Sequence, residues 1–201
     1  MYDRIFRDLG NVDYILVYKD DFSREDYPYY FRWVRVIDNM LIFTKPEDIY
    51  TLESRYKIPI HNLDDIEKVY RKYIDESIKI GAVGFKCGIA YTRTIDFTEY
   101  SRDEAEGLLK KILRFTKASW VRGEAITVEE GKSLTDYCMN VMLRIIEEKG
   151  LPISVHTGLQ TGGRNDIRRS NPQLLIPVFR EYKNLNFDVF HGGFPYVTEF
   201  I

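Results

Sequence analysis

The chain of 201 residues is sparing with several residue types, and each shortage narrows the options. It has two cysteines, Cys87 and Cys138, too far apart for a C-x-x-C pair, so neither a disulfide framework nor a structural zinc site is expected. Both read as packed free thiols. Charge of one sign is lacking as well: Lys+Arg 29 against Asp+Glu 31 leaves a formal charge of -2, with the basic residues dispersed among acids. That distribution argues against nucleic acid and against an anionic membrane as partners. No apolar run approaches the roughly 20 residues that cross a bilayer. The opening "MYDRIFRDLG" is charged where a signal peptide would be apolar, so a cytoplasmic location is expected. No G-x-S-x-G elbow is present, and neither cysteine has a histidine in a recognisable nucleophile motif.

What is present, with 44% hydrophobic residues, suffices for one buried core and predicts a single domain over residues 1–201. "DYILVYKD" and "FRWVRVID" are rich in β-branched and aromatic residues and read as strands, separated by the turn-forming "DFSREDYPYY". The tyrosines of that region read as core residues with wet hydroxyls. From Asn62, apolar residues at Ile66, Val69, Tyr70, Tyr73, Ile74 and Ile78 have helical spacing, with Asn62 as cap and Gly81 as stop. "GAVGFKCGIAY" is a third strand. Capping boxes "SRDE" and "TVEE" open two further helical segments, the second running to Gly150. "LPISVHTG" is the next strand, "NPQLLIPVFREY" a helix capped by Asn171 with Pro172 at its first position, and "NFDVFHGG" the last strand. Alternation of apolar strands with helices predicts a parallel sheet, as a (β/α) barrel or an open doubly wound sheet.

In such folds the C-terminal strand ends gather ligands and catalytic groups. Two of the three histidines, His156 and His191, end apolar runs in the same setting, and Lys86 follows "VGF" near a third such end. Neutral imidazoles at neighbouring strand ends suit a zinc-like ion, or one can bind metal while the other moves protons. Lys86 can serve as a cation for an acidic substrate. The loop "LQTGGRNDIRRS" matches no phosphate-binding pattern and reads as an active-site loop, with Arg164, Asn165 and Asp166 as candidate substrate contacts. His61, ahead of a helix, reads as local capping or solvent exposure.

"VGFKCGIAY", "LPISVHTGLQTGGRNDIRRSNPQLLIPVFREY" and "NFDVFHGGFPY" together resemble the amidohydrolase superfamily of metal-dependent hydrolases. The likeness is closest to the branch holding uronate isomerases, decarboxylases and a hydrolase-like domain fused to some glutamine synthetases. The resemblance implies a (β/α)8 TIM-barrel fold, with this chain supplying about strands two to six. It implies a divalent metal ion, zinc first, held by His156, with His191 as a second ligand or acid/base. It places Lys86 where some branches carry a carboxylated lysine. Lys86 is expected as a plain lysine facing a small anionic substrate. Two family features are absent: the chain contains no H-x-H, and no aspartate follows an eighth strand. An incomplete barrel is therefore expected, with open strand edges, no hydrolase activity in isolation, and self-association into homo-oligomers open to it. The implied function is hydrolysis by a metal-activated water. Decarboxylation or uronate isomerisation on the same barrel, or an inert binding domain, are the alternatives.

Overall fold

The computed structural model describes residues 2–19, 30–98, 100–115, 125–163 and 165–200. Five strands form one sheet, all neighbours parallel, in the spatial order β1 (Ile15–Lys19), β2 (Phe31–Val36), β3 (Ala82–Cys87), β4 (Ile153–His156) and β5 (Phe187–Phe190). Spatial order thus equals sequence order. A doubly wound sheet reverses direction at a switch point, whereas a barrel adds each strand beside the last, so this topology decides between the two expected architectures. The turn expected between the first two strands lies at 20–29, outside the described residues.

The helices are α1 (Pro46–Tyr56), α2 (Leu63–Lys79), α3 (Arg102–Leu113), α4 (Lys132–Glu148), α5 (Ile176–Glu181) and a last turn, α6 (Val197–Phe200). Asn62 caps α2 by accepting from the Asp65 amide at 3.0 Å, and Ser101 caps α3 through the Glu104 amide at 3.2 Å. On α2 the buried stripe is Ile66, Val69, Tyr70, Tyr73 and Ile74. Ile78 departs from expectation: it is exposed, and Ser77, fully buried with its hydroxyl on the Tyr73 carbonyl, takes the inward place at the end of the stripe. The Thr127–Glu130 box forms both of its reciprocal bonds, yet α4 starts only at Lys132, after the turn that they close. Helix α1 was not foreseen in the sequence. Asp48 organises its start by reaching back to the amides of Thr44 and Lys45, at 2.8 and 3.1 Å.

Strand parity divides the side chains between two faces. Phe85, Cys87, Ile153 and Val155, at odd positions, join the buried cluster with α2, α3 and α4, notably Tyr70, Leu109, Met139, Met142 and Ile146. Cys87 and Cys138 are both buried free thiols, as expected. Even positions face the other way, and they carry most of the polar chemistry of the strands: Lys86, Ser154, His156 and Asp188, with Tyr18 and Phe190. Among the described residues, no helix is long and apolar enough to cross a membrane.

Candidate functional site

Parallel register builds this face row by row. Lys86 lies beside Ser154 and Ser154 beside Asp188, while His156, the last residue of β4, lies beside Phe190, the last of β5. The rows are chemically linked. The Lys86 ammonium donates to Ser154 Oγ at 3.3 Å, and the Ser154 hydroxyl donates to Asp188 Oδ2 at 2.7 Å. Lys86 Nζ also sits 3.4 Å from the centre of the Phe190 ring and 5.6 Å from that of Tyr18. Burial outweighs these contacts in its titration. It pulls the lysine down to about 8, with Cys87, Asp188 and Asp38 opposing.

His156 and His191 meet edge to face, with ring centroids 4.8 Å apart. His156 is buried at 5% exposure, and His191 is exposed. Burial lowers the His156 pKa to about 4; the Leu159 carbonyl opposes this, while the charges of Lys86 and His191 add to it. The ring is therefore neutral near pH 7. Its Nε2 lies 2.9 Å from the Leu159 carbonyl oxygen, which can only accept, so the proton is assigned to Nε2 and Nδ1 keeps its lone pair. The Tyr91 ring covers His156 at 4.7 Å between centroids, and the Tyr91 hydroxyl accepts from the Thr161 amide at 3.3 Å.

Two turns hold the histidines together. Thr157 donates to the Phe190 carbonyl at 2.6 Å, joining the end of β4 to the end of β5. Gly158 (φ +62) then passes so close to the next turn that a Cβ there would meet the Phe194 carbonyl oxygen at 2.0 Å. Its amide and carbonyl are both fixed by Ser170, at 2.7 Å each. His191 itself adopts a left-handed backbone, φ +67. An imidazole is uncommon in that conformation, which sets its side chain apart from the regular alternation of β5.

The remaining candidates lie elsewhere. Asn165 donates to the Thr161 carbonyl inside its own loop. Asp166 pairs with Arg168 at 2.8 Å, and it borders a separate cavity of about 270 Å³ lined also by Arg93, Lys132 and Arg169. Arg164 lies outside the described residues. His61 is exposed, and its amide donates to Asp65, in keeping with the local role expected of it. Ser154, Asp188 and Tyr91 were not picked out in the sequence. The first two share strand parity with His156 and Phe190, a signal that becomes readable once the register is fixed. Tyr91 carries no local signal.

An amidohydrolase family model matches residues 83–201, more than half of the chain. The chain belongs to the amidohydrolase family. Protein fluG of Emericella nidulans is 28% identical over 124 residues, which are 58% of this amidohydrolase chain and 14% of that protein. Among solved structures, a protein described as a metal-dependent hydrolase from Lactobacillus casei matches with a TM-score of 0.68 and 16% identity, over 98% of this chain and 49% of its own. Uronate isomerase from Thermotoga maritima matches with a TM-score of 0.64 and 13% identity, over 92% of this chain and 45% of its own. These structural likenesses concern the fold: the five-stranded sheet corresponds to part of an amidohydrolase TIM barrel. The chain spans about half the length of the solved structures and 14% of the curated relative.

The donor set can be tested against a metal. Two imidazoles at adjacent strand ends, one kept neutral by burial, suit a zinc-like ion, which binds nitrogen readily. Catalytic zinc usually takes three protein ligands. Among the described residues no cluster of three His, Cys, Asp or Glu is placed to hold a metal, so the pair fits as part of a ligand set.

Proposed function

We propose that this chain contributes part of the active site of a metal-dependent amidohydrolase that hydrolyses a small anionic substrate. The observation that carries the reading is the 4.8 Å approach of His156 and His191 at neighbouring strand ends. His156 and His191 would hold a divalent ion, zinc first, with further ligands from barrel strands beyond these five. Such an ion supplies a polarised carbonyl and a water acidic enough to attack near neutral pH.

The residues of this chain have distinct tasks in that reading. His156 is neutral at pH 7, so binding an ion costs it no proton. Exposed His191 serves as ligand or as acid/base toward the leaving group. Lys86, held under Phe190, presents a cation to the substrate carboxylate, and its fixed contacts with Ser154 and Phe190 limit where that anion sits. Thr161, in the loop after β4, is tied to Tyr91, whose ring covers His156. Isomerisation of sugar acids is the second reading, supported by the fold likeness to a uronate isomerase, so uronates belong in the same substrate panel.

The test is zinc affinity by equilibrium dialysis on the 201-residue chain, comparing His156→Ala, His191→Ala and His61→Ala. The first two are expected to weaken zinc binding at least about tenfold, with His156→Ala the stronger effect. His61→Ala is expected to leave it unchanged. Equal affinity across all three variants would remove the histidine pair from the metal site.

A further inference from the structure

We propose that the separate cavity beside the start of α4 binds a small oxyanion, the carboxylate or phosphate group of a metabolite-sized ligand, with Arg169 as its principal contact. The proposal does not rest on the metal reading.

The cavity, of about 270 Å³, is walled by Arg93 and Thr94 after β3, by Asp166, Arg168 and Arg169 after β4, and by Glu129 and Lys132 where α4 begins. How each cation is engaged decides which of them can take a ligand. Arg93 and Lys132 share one buried acid: Asp136 Oδ1 accepts from Arg93 at 2.5 Å, and Oδ2 from Lys132 at 2.6 Å. Arg168 donates to Asp166 through Nε and Nη2, both at 2.8 Å. Arg169 is the exception. Among the described residues it donates one side-chain hydrogen bond, from Nη1 to the Thr92 carbonyl at 2.7 Å. The Glu129 carboxylate stands 4.0 Å from its Nη2, too far for a hydrogen bond, and the Glu129 side chain is 70% exposed. A guanidinium carries five N–H donors in a planar fork, so most of the Arg169 fork is open to an incoming oxyanion, with the Thr94 hydroxyl as a further donor on the same cavity. The surrounding field has the matching sign. Helix α4, 17 residues long, has no acid in its first turn and no side-chain cap from Gly131, so the positive end of its dipole adds to the charge of Arg169.

The place of Arg169 in the chain extends the reach of a bound ligand. Its carbonyl accepts from the Ile95 amide at 3.0 Å, and the next residue, Ser170, holds Gly158 by both amide and carbonyl. A ligand that fixes Arg169 therefore acts on the turn two residues beyond His156.

The experiment titrates the whole metal-free chain with inorganic phosphate and, separately, with acetate, at constant ionic strength, following backbone amides by NMR. Saturable shifts are expected at the amides of Arg93, Thr94, Lys132, Arg168 and Arg169, and at Gly158; tighter binding of phosphate assigns a phosphate-bearing ligand, and tighter binding of acetate a carboxylate. Arg169→Ala is expected to weaken binding at least about tenfold, through loss of charge-assisted hydrogen bonds, while Arg55→Ala, on α1, leaves it unchanged. Glu129→Gln removes the competing carboxylate and is expected to tighten binding about twofold or more; it decides the matter if Arg169→Ala fails to fold. Shifts that rise without saturation, the mark of an adventitious ion only, would overturn the site. So would equal affinity in Arg169→Ala, or no gain in Glu129→Gln. Saturation that leaves the Gly158 amide unmoved would overturn the link to the histidine turn.

Discussion

Gly158→Ala tests whether the turn after β4 sets the spacing of the two histidines. Two costs arise from the structure. At φ +62 an alanine occupies the left-handed region, worth about 1 kcal/mol. Its Cβ would also lie 2.0 Å from the Phe194 carbonyl oxygen and 2.7 Å from the Gly193 carbonyl carbon, closer than any non-bonded contact allows. Retreat is blocked on the Gly158 side by the paired Ser170 bonds. The 191–194 turn must then give way, by about 1 Å or more, and overpacking of this kind costs about 1–3 kcal/mol. The sum is about 2–4 kcal/mol. Phe194 is hydrogen-bonded to the His191 carbonyl at 3.2 Å, so displacement of one carries the other and opens the His156–His191 contact. Urea unfolding measures the stability loss, and the imidazole proton shifts in NMR report the ring contact. Gly163→Ala, where an added Cβ meets nothing within 4 Å, is the control. If Gly158→Ala stays within about 0.5 kcal/mol of wild type and leaves the histidine shifts unaltered, the turn does not position the pair.

Other outcomes follow from the same contacts. Asp136→Ala leaves Arg93, which meets Asp136 at 2.5 Å and is only 4% exposed, without its carboxylate; a loss of about 3–5 kcal/mol in urea unfolding is expected, and replacing both partners by apolar residues should recover much of it. Asn62→Ala should cost about 1 kcal/mol by releasing the Asp65 amide. In metal-free protein the lowered His156 pKa makes the unfolded chain the tighter proton binder, so stability present above about pH 6.5 is lost as pH falls towards 4, with about 2 kcal/mol gone between pH 7 and pH 5; His156→Gln should flatten that part of the profile. The isolated chain should self-associate in light scattering, since Tyr14 and Leu16 are 58% and 43% exposed on the edge strand β1 and its approach, and Leu16→Lys should reduce the effect.

Much of this fold is legible in sequence because its signals are local. Each strand is a short apolar run, and Asn62 and Ser101 mark helix starts by chemistry within one turn, whereas Asn171 and Pro172 open a 3-10 turn, Pro172–Leu175, and the α-helix expected there begins only at Ile176. Helix α1 escaped because its inward residues, Ile49, Leu52 and Tyr56, are sparse, and because the capping carboxylate of Asp48 lies inside the helix, reaching backwards. The site divides in the same way. His156, His191 and Lys86 announce themselves at strand ends, while Ser154 and Asp188 become partners only when three strands align in register. Tyr91 meets His156 by folding over from a different loop, a contact that no pattern along the chain encodes.

A sheet whose spatial order repeats its sequence order has a consequence for how the chain is made. From β2 onward, each strand leaving the ribosome finds the neighbour on one side already synthesised and can pair with it at once. The growing edge is always the most recent strand. Synthesis and assembly can therefore proceed in the same direction, with His156 of β4 made before His191, which follows β5, and the ring contact among the last to close.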